Sequence, residues 1–363
     1  MRRPACVVVL AAGEGTRMRS SRPKPLHQLC GREMVVHVLD AATHDDVRAR
    51  VVVVGHGATQ VEKVVRERVA GGPPLVFVEQ AEQLGTGHAV AVALPAIAEQ
   101  VGGTDGDVLI LPGDTPLLRA GTLDQLLEHH RSVGASLTIL SAIVDDPSGY
   151  GRVVRERDGS LARIVEERDA SDDERALREV NTAIMVVREG LLGPALRRVG
   201  RHNAQNEYYL TDLVAELHDA GHRTEAMVVD DAQETAGVND RAQLAAAESA
   251  LRRRINERWM LRGVTMFDPD STYVDVDVTL AADVCLLPGT VLRGRCVIER
   301  GARVGPHAVL TDTRVGEGAF LASVSAERAV VGADARVGAY AVLAPGSRVA
   351  EGEVVAAHSL VTR

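Results

Sequence analysis

Short runs of β-branched and aliphatic residues alternate with amphipathic stretches through the first 240 positions of the chain. Val7–Leu10, Val51–Val54, Leu75–Val78, Val108–Leu111 and Leu137–Ser141 read as strands. Their near-continuous apolar character is that of strands buried on both faces. Met34–Ala42, Ala58–Ala70, His88–Glu99 and Thr122–Ser132 carry helical periodicity. The alternation predicts an α/β domain over residues 1–240, with a mostly parallel sheet covered by helices on both sides. Arg241–Leu261 is alanine-rich with no internal Gly or Pro, and predicts one long connector helix over residues 241–262. Its basic run, Arg252, Arg253 and Arg254, reads as a solvated face.

From residue 263 the pattern changes. Aliphatic residues recur every six positions, unbroken through Val331, Val337, Leu343, Val349, Val355 and Val361. Val278 and Val284, then Ile298, Val304 and Leu310, then Val315 and Leu321, read as earlier members. Gly commonly follows, as in Val304-Gly305, Val315-Gly316, Val331-Gly332 and Val337-Gly338. A six-residue period means that each flat side of a triangular coil turns one aliphatic inward, with small residues at the corners. Residues 263–363 are therefore expected to form a parallel β-helix of hexapeptide repeats.

Composition narrows the function classes. The 363 residues carry a formal charge of −9, are 45% apolar and 25% charged, and fit two or three globular domains. No lysine-arginine block argues for a phosphate-neutralising nucleic-acid surface. No apolar run approaches the ~18 residues that would span a bilayer. Met1-Arg2-Arg3 followed by an apolar run mimics a short leader, but the run leads straight into Gly13-Glu14-Gly15 as a buried first strand would. Cys6, Cys30, Cys285 and Cys296 form no CxxC pair, so free thiols and a cytoplasmic location are expected. No nucleic acid and no membrane is expected as a partner.

Leu10-Ala11-Ala12-Gly13-Glu14-Gly15-Thr16-Arg17-Met18, followed by Arg22-Pro23-Lys24-Pro25, is the most specific segment. A strand feeding a glycine-rich turn offers backbone N–H groups to a polyphosphate, and Arg17 and Lys24 would neutralise its charge. A bare Gly-x-Gly would mean only a tight βα turn; the whole string points to a phosphate site. These residues resemble the sugar-phosphate nucleotidylyltransferases. More narrowly, the chain is similar to the bacterial bifunctional N-acetylglucosamine-1-phosphate uridylyltransferase/glucosamine-1-phosphate acetyltransferase family. The resemblance covers nearly the whole chain and implies a Rossmann-like nucleotidyltransferase domain followed by a left-handed β-helix.

It also implies roles. Leu10, Ala11, Ala12, Gly13, Gly15 and Thr16 would bind the nucleotide, with the Gly13–Gly15 backbone at its phosphates. Gln80-Ala81-Glu82-Gln83-Leu84-Gly85-Thr86-Gly87-His88 resembles the nucleobase loop, with Gln80, Gln83, Gly85 and Thr86 as nucleotide contacts; alternatively it is a polar turn before a helix. Leu111-Pro112-Gly113-Asp114 ends a strand with a carboxylate that resembles the family's magnesium ligand. Gly237-Val238-Asn239 resembles the segment completing that Mg²⁺ site, although Asn239 also suits a helix cap. Gly151, Glu166, Asn181 and Asn239 would contact the sugar, and Arg17, Lys24 and Asp114 would carry catalysis. The implied reaction is UMP transfer from UTP to a sugar-1-phosphate, with N-acetylglucosamine-1-phosphate as the expected acceptor. A homotrimer through the β-helix is the family expectation.

Three departures qualify the match. The residue before Pro345-Gly346 is Ala344 where acetyl-transferring relatives carry arginine, and the chain ends at Arg363 before their His-Thr-Tyr segment. His307 and His358 lack that context and read as corner residues, so no acetyltransferase activity is expected. Ala183 stands where relatives carry glycine, and its methyl bears on which sugar fits. Pro112 replaces a polar or aromatic residue. Other readings remain: transfer of uridylyl or thymidylyl to another hexose-1-phosphate, a hexapeptide-repeat acyltransferase, or a non-catalytic nucleotide-sugar-binding regulatory subunit.

Overall fold

The computed structural model describes residues 5–69, 71–101 and 106–362. The leader-like Met1-Arg2-Arg3, Ala70 at the end of an expected helix, and the terminal Arg363 lie outside them. The chain divides into two compact units, Met1–His27 with Glu33–Leu244, and Gln28–Arg32 with Ala245–Arg363.

The first unit is built on strands β1 (Ala5–Ala11), β2 (Val47–Val54), β3 (Leu75–Glu79), β4 (Asp107–Pro112), β5 (Leu137–Ile143), β6 (Arg152–Arg155), β7 (Leu161–Val165), β8 (Glu179–Arg188) and β9 (Thr224–Val228). Its main sheet runs β9-β5-β8-β4-β1-β2-β3, with β6 pairing β8 and β7 at one side. Its helices are α1 (Met34–Ala41), α2 (Ala58–Arg68), α3 (Thr86–Val101), α4 (Ala120–Ser132), α5 (Glu189–Leu196) and α6 (Asp212–Asp219), and α7 (Arg241–Met260) belongs from Ala245 on to the second unit. The period-2 geometry of a strand divides β1 between two cores. Val7 and Val9 face a core shared with α1, α2 and α4, whereas Cys6 and Val8 face one shared with α3, α5 and α6.

The sheet is more mixed than its sequence predicts. The ten-residue β8 runs antiparallel to both β4 and β5, and β6 and β7 form an antiparallel pair. None of β6 to β9 stands out in the hydrophobic pattern, because their polar residues serve other contacts: Arg152, Asn181, Thr182 and Thr224 are all buried here. Register in β8 shifts between Asn181 and Ile184, and Ala183 at the shift has a left-handed φ of 61°.

In the second unit, parallel strands of two or three residues stack into sheets of six, six and five, the left-handed β-helix. Leu280, Ile298, Val315, Val331 and Val349 form one inward ladder, and Leu286, Val304, Leu321, Val337 and Val355 a second. The third is Leu292, Leu310, Ala326, Leu343 and Val361. Val278 and Val284 are therefore out of phase. Both are buried, but each precedes its strand residue by two positions, in the inner row that also holds Cys296, Ala302 and Ala308. Ala326 is a ladder member that the aliphatic pattern omits. The glycines after the ladder residues are required by stacking: a Cβ on Gly316, Gly332 or Gly338 would lie 2.6, 2.5 or 2.6 Å from a backbone nitrogen of the next coil.

Ile255 and Trp259 of α7 join the apolar core of this unit. The basic run of α7 is not wholly a solvated face: Arg253 is exposed, but the Arg252 guanidinium lies 4.3 Å from the Tyr273 ring centroid. All four cysteines are free, and burial pushes the Cys6 thiol up to about 12 and Cys296 to about 11. Among the described residues, no helix is long and apolar enough to cross a membrane.

Candidate active site

A cleft of about 560 Å³ opens in the first unit, at the carboxyl ends of β1 and β4, where an open α/β sheet leaves room for a ligand. Leu10, Ala11, Ala12, Gly13, Arg17, Lys24, Gln80, Gln83, Gly85, Thr86, Asp114, Gly151, Glu166, Asn181 and Asn239 all line it. Gly15 and Thr16 do not. Gly15 instead lies against the stem of Lys24, where a Cβ would come within 2.5 Å of the Lys24 Cβ at a φ of +63°. Its contribution is to let that lysine approach the turn.

The backbone N–H groups of Gly13, Glu14, Gly15 and Thr16 make no hydrogen bond among the described residues. Four adjacent donors without a protein partner form a nest suited to an anion. Gly13 has nothing within 4 Å of an added Cβ, so this turn borders open space.

Opposite the turn, segments far apart in sequence converge. Lys24 Nζ donates to Asp114 Oδ2, and to Asn239 Oδ1 at 2.8 Å. Arg17 donates to the same Asn239 oxygen at 3.0 Å. Local structure sets each group. Asp114 follows β4 in a turn, and its backbone oxygen receives the Val238 N–H at 2.9 Å, tying the Asn239 segment to the strand end. Asn239 N–H donates to Gln243 Oε1 at 2.7 Å. Asn239 therefore faces the cations with its side chain and does not cap α7: that helix begins at Arg241, and it is Asp240 Oδ1 that receives the Gln243 N–H, at 2.8 Å.

The donor set fits a hard divalent cation. One carboxylate and one amide oxygen already converge on a single positive group, the Lys24 ammonium, and Mg²⁺ takes such oxygens alongside phosphate and water. Among the described residues no group of three His, Cys, Asp or Glu could hold a metal, so an ion here would share its ligands with a substrate.

At one end of the cleft, buried Gln80 donates from Nε2 to the Gly85 carbonyl at 3.1 Å, and Gln83 donates to the Ala12 carbonyl at 2.9 Å. Gly85 has a φ of +109°, and a Cβ there would meet the Tyr208 oxygen at 2.6 Å. Only glycine permits this approach. At the other end, Glu166 Oε1 receives the Thr211 hydroxyl at 2.9 Å. Burial pushes the Glu166 carboxyl above the usual range, reinforced by Asp212 and Asp169 and only partly offset by Thr211. Asn181 Oδ1 receives the Ala183 N–H at 3.1 Å, and Asn181 N–H donates to the Gly151 carbonyl at 2.8 Å. Gly151 just before β6, Glu166 just after β7 and Asn181 on β8 thus form one wall of the cleft.

Sequence reading missed Ala89, Met185 and Thr235 in the lining and gave Thr211 no role. Met185 is an ordinary strand residue by its pattern, and only the register of β8 turns it to the cleft. Thr211 carried the one available signal, lying within Glu207-Tyr208-Tyr209-Leu210-Thr211-Asp212, although nothing in that string pairs it with Glu166.

Comparison with known proteins bears on this geometry. A family model described as a MobA-like NTP transferase domain matches residues 7–163. The "Bifunctional protein GlmU" of Streptomyces avermitilis is 49% identical over 348 residues, covering 95% of this chain and 71% of that protein. The protein of the same name in Thermobifida fusca is 47% identical, covering 91% and 68%. That of Caldanaerobacter subterraneus is 43% identical, covering 94% and 72%.

Proposed function

The chain belongs to the family of the bifunctional protein GlmU and is a nucleotidyltransferase, and from that premise we propose the reaction it catalyses. It transfers UMP from UTP to N-acetyl-α-D-glucosamine-1-phosphate, forming the UDP-sugar and releasing pyrophosphate. The observation that carries this reading is the convergence of Arg17, Lys24, Asp114 and Asn239 between a phosphate-binding turn and a polar wall.

The acceptor phosphate oxygen is already an anion at neutral pH, so its attack on the α-phosphorus needs no general base. The new bond joins that oxygen to the α-phosphorus, and the bond to the β-phosphate oxygen breaks, with its electron pair leaving on pyrophosphate. Rate enhancement then comes from alignment and from neutralising charge on the phosphates. The N–H groups of Gly13–Thr16 are free to receive phosphate oxygens. Arg17 and Lys24 bring two positive charges to the same place. Mg²⁺, held by Asp114 and Asn239, would supply further neutralisation when bound. At the sugar wall, the oxygen of Asn181 is occupied by Ala183, which leaves the amide nitrogen to donate. Glu166 keeps Oε2 for sugar hydroxyls, since Thr211 occupies Oε1.

We infer no acetyltransferase activity. Ala344 before Pro345-Gly346 supports this, as do His307 and His358, which occupy coil corners at φ of 52° and 61°. His358 is stacked on Tyr340 with centroids 5.2 Å apart. A homotrimer in the cytoplasm completes the proposal.

The test is pyrophosphate release with Mg²⁺ and UTP across a panel of hexose-1-phosphates, with dTTP for comparison and acetyl-CoA thiol release run in parallel. N-acetylglucosamine-1-phosphate should react fastest, no thiol should appear, and Lys24→Ala or Asp114→Ala should lower kcat by about tenfold or more. Near wild-type turnover in both variants would overturn the assignment of the site. Release with a different sugar would move the acceptor, an outcome to which the Ala183 methyl lining the cleft is relevant. Silence across the panel would leave nucleotide-sugar binding as the function.

A further inference from the structure

The nucleobase end of the cleft carries an inference that rests on the uridylyl-transfer reading and deepens it. Gln80 Nε2 lies 3.1 Å from the Gly85 carbonyl oxygen and also 3.1 Å from His88 Nδ1. A carbonyl oxygen can only accept, so the amide atom facing Gly85 is the NH₂ and not the oxygen. That fixes which way round the amide sits. Its second proton points at His88, so Nδ1 must be the unprotonated, accepting nitrogen, and the ring proton is on Nε2. Both donors of Gln80 are then committed within the protein. Its Oε1 has no hydrogen-bond partner among the described residues, and it is the only polar atom of the amide left for a ligand.

We propose that His88 is a positioning residue that sets nucleobase specificity. Its Nδ1 lone pair helps lock Gln80 so that an acceptor, and not a donor, meets the base edge. A free glutamine can read either kind of edge by turning its amide half a revolution, because oxygen and nitrogen are nearly the same size. The locked amide cannot turn without placing its oxygen against both the Gly85 carbonyl and the His88 lone pair. A base with a ring N–H, uracil or thymine, satisfies Oε1. Cytosine presents a lone pair at that ring nitrogen and leaves two acceptors facing each other in a buried site. The selection separates UTP from CTP but not UTP from dTTP, since thymine keeps the same N–H.

His88 is suited to this task by its place in the fold. It lies in the first turn of α3, directly after the glycine turn that brings Gly85 to Gln80. The Gly85 carbonyl is shared with the Ala89 N–H at 3.2 Å, so the imidazole supplies the second restraint on an amide whose first partner is divided. The imidazole lies beside the Tyr208 ring, with centroids 6.4 Å apart.

The experiment compares kcat/KM for UTP and CTP, at saturating Mg²⁺ and N-acetylglucosamine-1-phosphate, in the wild type, His88→Ala and His88→Asn. The same comparison is made by calorimetry with UDP and CDP, which requires no turnover. In His88→Ala the preference for uracil should fall about tenfold or more, through the nucleotide KM, with the sugar-phosphate KM unchanged. His88→Asn carries an accepting oxygen where the imidazole has Nδ1 and should restore the preference. An unchanged UTP:CTP ratio in His88→Ala would falsify the proposal. So would a loss in His88→Asn as large as in His88→Ala, which would make the effect one of helix packing. If the wild type turns over neither nucleotide, the uridylyl reading fails, while the ratio of UDP to CDP affinity still decides the role of His88.

Discussion

At the scale of single residues, the cleft concentrates groups whose chemistry is altered by burial. Glu166 is the clearest case. Its carboxyl titrates above the ordinary range, near 4.3 for a free glutamate, because it is buried and because Asp212 and Asp169 lie close. As pH falls, Glu166 takes up a proton earlier than a surface glutamate would, and loses its capacity to accept two hydroxyl hydrogen bonds. The KM for the sugar-phosphate should therefore rise on acidification through a window above the usual glutamate range, with the KM for UTP flat. Glu166→Gln should raise that KM at neutral pH and remove the acid limb. A limb that persists in Glu166→Gln would assign the titration elsewhere.

At the scale of elements, two devices hold the framework. The first ties β4 to α4. Asp107 is fully buried, receives Arg131 at 2.7 Å, and lies 3.6 Å from His130, itself hydrogen-bonded to Thr138 of β5 at 2.9 Å. Burial opposes ionisation of Asp107, but the Arg131 bond and the imidazole of His130 beside it outweigh that and hold its carboxyl below the usual range. A depressed carboxyl contributes stability that is present above the unfolded value and is lost as pH falls through the folded one. Asp107→Asn should thus cost about 1–3 kcal/mol at neutral pH, because it removes a buried charge-assisted bond while Arg131, part-exposed, keeps its 2.7 Å pair to Asp46. Denaturant unfolding should show that difference narrowing towards acid; a constant difference would mean that shape, not charge, is what the asparagine loses. The second device is the coil stacking of the β-helix. Gly332→Ala would press a methyl on the Glu351 nitrogen at 2.5 Å and should destabilise that unit by about 1–3 kcal/mol. The nucleotidyltransfer rate should stay unchanged, since the substitution is remote from the cleft in sequence and element.

At the scale of the whole molecule, the proposed homotrimer has a face to suit it. Outward residues on the sheet beginning at Tyr273 include Val309, Val342 and Leu360, all exposed, whereas the other two faces mix exposed Val354 with Arg303 and Arg336, or Val297 and Val330 with Arg314 and Arg348. Sedimentation should give a mass of three chains, and Val342→Arg should reduce it without lowering the unfolding midpoint of the dilute protein; a wild type that sediments as a monomer would remove the trimer. Much of this molecule was legible in order along the chain. The first strands, the helices that follow them, the phosphate turn and the hexapeptide period are local patterns. Helical and strand periodicity, and the shape of a glycine turn, are set by neighbouring residues alone. The family resemblance rested on the same local strings. What lay beyond reach was set by partners distant in sequence. The antiparallel β8 owes its direction to β4 and β5. Val278 and Val284 fell out of phase because a coil's inner row is defined by the coil stacked on it. The convergence of Lys24 and Asn239 and the shielding of Glu166 exist only where separate segments meet. Sequence determined which groups this protein possesses; tertiary structure decided which of them share a hydrogen bond, because orientation and burial are properties of neighbours in space.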